Sequence, residues 1–73
     1  GEGNNLLDVR QFGAVGDGIT TDTRAIQAAV DRCSSKGGTV VFPKGTYLTG
    51  TIYLKDNVTL YLEAGALILG SPD

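Results

Sequence analysis

Residues 39–50 read TVVFPKGTYLTG, and residues 59–70 read TLYLEAGALILG. Laid one above the other at an offset of 20, they match Gly45 with Gly65, Gly50 with Gly70 and Thr39 with Thr59. Val40 falls on Leu60, Phe42 on Leu62 and Leu48 on Ile68, so apolar positions keep step with the glycines. A period near 20 built of short apolar runs and glycine turns marks a solenoid, in which each repeat buries its apolar face on the next. Pro43-Lys44-Gly45 suits a tight turn, because Pro presets φ and Gly supplies φ > 0 where one is needed. The spacing predicts three short strands per coil, at 40–42, 46–49 and 51–54, with 58–62 opening the next. The leucine-rich signature L-x-x-L-x-L-x-x-N is absent and no helix recurs, which leaves a parallel β-helix as the expected fold.

Side chains alternate along a strand, so 46–54 divides into two faces. Tyr47, Thr49, Thr51 and Tyr53 share one; Leu48, Gly50, Ile52 and Leu54 share the other, and Val58, Leu60 and Leu62 continue this apolar set. The apolar set is expected inside. Tyr47, Tyr53 and Tyr61 then share the outward parity, as a solvent-facing surface or one on which sugar rings could stack.

Upstream, TTDTRAIQAAVDRCSSKGG changes period from two to 3.6. Ile26, Ala29, Val30 and Cys33 fall at i, i+3, i+4 and i+7, which predicts an amphipathic helix over 22–35. Thr21 or Asp22 can serve as its N-cap, and Gly37-Gly38 stops it, with Arg32 and Lys36 near its negative end. A solenoid needs its terminal coil covered, and this helix is placed to do so at the N-terminal end. Residues 1–5 (GEGNN) read as a frayed start. Residues 6–12 alternate loosely as a short strand, with Leu7, Val9 and Phe12 seeking cover. After Gly70 stands Ser-Pro-Asp, where a further strand is expected. An uncovered last coil exposes apolar surface and unpaired backbone, so the chain reads as incomplete, with further coils or self-association expected at its open C-terminal edge.

Composition bounds the function classes. The 73 residues hold one cysteine and no histidine, so an intrachain disulfide is impossible and a zinc site is not expected. The net charge is −2 and the six basic residues are scattered singly, which argues against nucleic acid as a partner. No apolar run approaches the roughly 18 residues of a membrane span, so no membrane partner is expected. No basic segment with an apolar core opens the chain, so a signal peptide reads as absent or already removed.

The stretch FGAVGDGITTDT (12–23) invites a reading as a binding loop. Its Gly13, Gly16 and Gly18 are spaced G-x-x-G-x-G, which is neither the dinucleotide pattern nor a P-loop. Asp17, Thr20 and Asp22 offer oxygens without the order of a calcium loop. Glycoside cleavage needs two carboxyl groups facing each other across a cleft, and Asp17, Asp22, Asp56 and Glu63 show no recognisable pairing in sequence. Cys33 lies on the apolar stripe of the helix as an inert buried thiol. The stretch therefore reads as a turn that enters a helix.

From Asp8 to Ser71 the chain, DVRQFGAVGDGITTDTRAIQAAVDRCSSKGGTVVFPKGTYLTGTIYLKDNVTLYLEAGALILGS, resembles the N-terminal segment of the pectin-degrading right-handed β-helix superfamily. Within it the chain is most similar to glycoside hydrolase family 28, the polygalacturonases and their relatives. FGAVGDG, TDTRAIQAAVD and GGTVVFPKGTYLTG are shared across the superfamily, while IYLKDNVTLYLEAGALILGS leans toward the glycosidases. The resemblance implies a mainly β fold: a right-handed parallel β-helix begun by a cap helix at 22–35 and first coils at 39–70, in a domain that continues beyond this chain. It implies an inverting hydrolase of galacturonan-type polysaccharide, secreted or periplasmic and needing no cofactor. A lyase or epimerase-like relative and a non-enzymatic adhesin or tailspike-type module are the alternatives. The family's chemistry would sit in motifs of the type Asn-Thr-Asp, Asp-Asp, Gly-His-Gly and Arg-x-Lys, and none of these stands in this sequence. No catalytic, cofactor-binding or metal-binding residue is therefore assigned to any position, and this segment alone is expected to be inactive.

Overall fold

The sheets are all parallel, and every rung comes from a different coil. The computed structural model describes residues 6–71. The readings of 1–5 as a frayed start and of Pro72-Asp73 as the approach to a strand lie outside the described residues. Strands β1 (Leu6–Asp8), β3 (Gly38–Phe42) and β5 (Val58–Leu62) form one sheet, in that order. Strands β2 (Asp17–Thr21), β4 (Gly45–Thr49) and β6 (Ala66–Gly70) form the second. Helix α1 (Thr23–Lys36) stands between β2 and β3, and a short 3-10 helix, Val9–Phe12, follows β1. Its Val9 is fully buried.

The repeat seen in sequence holds in the first sheet, where Thr39 lies beside Thr59 and Phe42 beside Leu62. The second sheet steps by 21 instead, pairing Gly45 with Ala66, Tyr47 with Ile68 and Thr49 with Gly70. One extra residue accounts for the change. Pro43-Lys44 joins β3 to β4, whereas Glu63-Ala64-Gly65 joins β5 to β6. The longer turn closes by a bond from Ala66 N–H to Glu63 C=O at 2.9 Å, and Gly65 sits at φ +88°, where a glycine is favoured. The expected pairs Leu48–Ile68 and Gly50–Gly70 are therefore each one residue out: Leu48 lies beside Leu69.

The phase of β4 is also opposite to the sequence expectation. Tyr47 and Thr49 point inward and are buried, while Leu48 lies on the outer face, half-exposed. A strand's alternation is visible in sequence, but a one-residue slip exchanges its faces, and turn geometry decides which is in. The tyrosine is accommodated because its polar end is satisfied: its Oη donates to Pro43 C=O at 2.6 Å. Its ring meets Phe42 edge-on, with centroids 5.4 Å apart. Tyr53 and Tyr61 do lie exposed, as expected.

Three further boundaries differ, the first being that the strand expected over 6–12 ends at Asp8, with Val9–Phe12 in the 3-10 helix. Residues 17–21, read as part of a turn, form β2, whose register with β4 shifts between Asp17 and Thr21. That bulge hides the strand from a period-two reading. Residues 51–54 are not a strand within the described residues. The helix lies one residue from its expected limits. Its stripe of Ile26, Ala29, Val30 and Cys33 packs with Val9, Val40 and Phe42 into one core.

Candidate functional site

Two of the four acidic candidates, Asp17 and Asp22, are turned toward nearby backbone. The Asp17 carboxylate accepts from Thr20 N–H at 2.7 Å, Ile19 N–H at 2.9 Å and Thr20 Oγ1 at 3.0 Å, closing the bulge of β2. These bonds, that of the Thr20 amide first, hold its carboxyl below the usual carboxylate range. Asp22 takes the N-cap position, but its carboxylate bonds no helix N–H. It is 2% exposed and accepts from Val15 N–H at 2.9 Å and Gly16 N–H at 3.0 Å. Two charge-assisted bonds from one loop outcompete a single cap bond, which corrects the expectation of a simple cap. Asp56 lies exposed in the turn after residue 54, and Glu63 is exposed at the β5–β6 turn. Among the described residues no group of three or more His, Cys, Asp or Glu could hold a metal ion. Cys33 is buried, and burial pushes its thiol pKa up.

The glycine stretch is instead one side of a latch in which Arg10 ties it to Lys44, 34 residues on from Arg10 and so out of reach of any local pattern. Arg10 donates from Nη1 to Val15 C=O at 3.0 Å and from Nη2 to Lys44 C=O at 2.9 Å. Its guanidinium lies 5.8 Å from the centre of the Tyr47 ring. Gly16 fits beneath it at φ +71°, where an added Cβ would stand 3.0 Å from both Arg10 Nη2 and Tyr47 Cε1. Gly16→Ala combines left-handed strain with that overlap, and is expected to cost about 1–3 kcal/mol. Denaturant midpoints should show it; a loss within about 0.5 kcal/mol would remove the latch from the account of stability.

Among the described residues an apolar surface lies on the rung formed by β5 and β6. In parallel, in-register strands, like-facing residues stack, so Leu60, Leu62 and Ile68 repeat the inward positions of Val40, Phe42 and Tyr47. The inner set is 0% exposed, while Leu60, Leu62 and Ile68 are 37%, 40% and 36% exposed. A depression of about 260 Å³ opens here, walled by Ile26, Val30, Phe42, Ile52, Leu60 and Ile68. Its chemistry is that of a protein core cut across. It suits burial of another apolar layer, not proton transfer.

The profile of the family described as "Rhamnogalacturonase A/epimerase, pectate lyase-like" matches residues 6–66. The chain belongs to this family. Over 66 residues it is 44% identical to an exo-poly-alpha-D-galacturonosidase of Dickeya chrysanthemi, covering 90% of this chain and 11% of that protein. The solved family 28 exopolygalacturonase of Yersinia enterocolitica superposes with a TM-score of 0.86 at 48% identity, covering 93% of this chain and 12% of that one. The plasmin and fibronectin-binding protein A of Streptococcus pneumoniae is 48% identical over 69 residues, covering 90% of this chain and 10% of that protein. The chain thus spans about a tenth of the length of these relatives. The expected resemblance to family 28 holds, and the fold is the right-handed parallel β-helix of these neighbours, over a short segment.

Proposed function

We propose that this chain is the cap helix and first coils of a polysaccharide hydrolase that cleaves O-glycosidic bonds in galacturonan-type substrates. The observation that carries the reading is its 48% identity and TM-score of 0.86 to a family 28 exopolygalacturonase across 93% of the chain. In this reading the segment's own work is structural. It closes one end of the apolar lumen and offers the last rung to further coils, while the acids of the reaction lie on those coils. Asp17 and Asp22 support this division, since both already direct their oxygens to backbone N–H groups. The intact protein is secreted or periplasmic, where plant cell-wall pectin is met. No cofactor, nucleic acid or membrane enters the reading.

The similarity to a plasmin and fibronectin-binding protein favours a second reading, a β-helix module that binds without turnover. Near-equal identity to a hydrolase and to a binding protein fits a segment that supplies what the two share, the scaffold. Reducing-sugar release from polygalacturonate separates the readings. The intact protein is expected to release reducing ends and residues 1–73 alone to release none. An unsaturated product seen by ultraviolet absorbance would move the reading to a lyase. Tight glycan or protein binding without turnover would move it to the adhesin, and turnover by residues 1–73 would overturn the division of labour.

A further inference from the structure

The bulge of β2 sets an aspartate directly before a glycine, and the fold uses both. Asp17 is exposed, and its carboxylate closes the bulge by accepting from the Ile19 and Thr20 amides and from Thr20 Oγ1. Gly18 stands at φ +77°, in the left-handed region, and an added Cβ would lie 3.3 Å from Thr46 Cγ2 on β4. Both positions serve the second sheet, which pairs Asp17 with Thr46 and Thr21 with Leu48 across the bulge. An Asp-Gly pair is also a reactive one. Glycine puts no side chain beside its amide nitrogen, so that nitrogen can reach the carboxyl carbon of the residue before it.

We propose that Asp17-Gly18 is a site of self-modification to isoaspartate, which the folded turn locks and unfolding releases. In the reaction the Gly18 nitrogen attacks the carbon of the protonated Asp17 carboxyl, forming an N–Cγ bond as a C–O bond breaks. The carboxyl OH leaves with the amide proton as water, and the product is a cyclic succinimide. Water then re-enters at one of the two ring carbonyls. Opening at the main-chain carbonyl leaves the chain running through Cγ, and water is the only other reactant. The folded turn opposes the first step by engaging both carboxyl oxygens. Oδ1 accepts from the Ile19 and Thr20 amides and Oδ2 from Thr20 Oγ1, which directs the group along the chain, away from the Gly18 nitrogen. The same donors, the Thr20 amide first, hold the carboxyl below its usual range, in the anionic form that loses water poorly. Isoaspartate would lengthen the main chain by one carbon at residue 17 and withdraw the carboxylate that closes the bulge. The inference rests on this turn alone and stands whichever substrate the protein acts on.

The test ages the intact protein at neutral pH, folded and in urea, and follows the peptide that spans residues 17 and 18. Electron-transfer fragmentation in the mass spectrometer tells isoaspartate from aspartate. Asp8, Asp31 and Asp56, none of them followed by glycine, serve as internal clocks. In urea, residue 17 is expected to isomerise ahead of all three. Folded, it should react about tenfold more slowly or less, since reaction must await a local opening of the turn. No preference for residue 17 in urea would overturn the reactive pair, and equal rates folded and unfolded would overturn the lock. Both comparisons use the unsubstituted protein. Thr20→Val keeps the shape and both amides but removes the hydroxyl donor. The folded variant should isomerise roughly fivefold faster, the equivalent of one hydrogen bond, with its rate in urea unchanged. A folded rate that Thr20→Val leaves unchanged would assign the protection to general rigidity and overturn the part given to the turn.

Discussion

Replacing Tyr47 by alanine is expected to destabilise the protein by about 3–5 kcal/mol, the usual cost of emptying a buried aromatic site. Tyr47 is 0% exposed, and three structures depend on its ring. Phe42 packs against it edge-on, Arg10 stacks on it, and Ile68 lies beside it on the next rung. The cavity left behind is walled by strands locked in register, so it can collapse little. Tyr47→Phe separates the hydroxyl from the ring. It removes only the bond to Pro43 C=O and is expected to cost about 1 kcal/mol. Urea titration of the two variants tests the assignment. A loss below about 1.5 kcal/mol in the alanine variant would contradict an inward tyrosine.

Asp22→Ala is expected to cost about 3 kcal/mol, more than the roughly 1 kcal/mol of a lost helix cap. The excess comes from two N–H groups, of Val15 and Gly16, left without their charged acceptor beside a buried position. Asp22→Asn keeps one accepting oxygen but turns an NH₂ group toward the other donor, and should fall between the two. Amide exchange distinguishes the roles. Val15 and Gly16 should lose protection while the amides of the first helical turn keep theirs, and the reverse pattern would restore Asp22 to a plain cap.

Whatever depends on short-range periodicity could be read directly. The stripe of Ile26, Ala29, Val30 and Cys33 marked the helix to within a residue, because 3.6-residue spacing is local. The 20-residue echo of Val40 and Phe42 in Leu60 and Leu62 marked a parallel solenoid and gave the register of its first sheet. The second sheet escaped because one residue added in the turn at 63–65 shifts the rung without disturbing the apolar pattern on either side. β2 escaped because its bulge breaks the alternation by which a strand is recognised.

Fold class, helix and family were thus legible along the chain. The repeat also placed Leu60 and Leu62 over Val40 and Phe42, whereas Ile68, matched in sequence to Leu48, lies over Tyr47. Which face of β4 lies inside, and what the polar residues do, follow from packing between coils. Arg10 meets Lys44, Asp22 holds Val15 and Gly16, and Gln27 pairs with Tyr53. Two of these contacts join residues 34 and 26 positions apart, brought together by coiling, and no spacing rule along the chain encodes them. The physical reason is the same for both. A polar side chain has many equivalent partners in water, and only coiling of the chain brings one particular distant carbonyl within its reach.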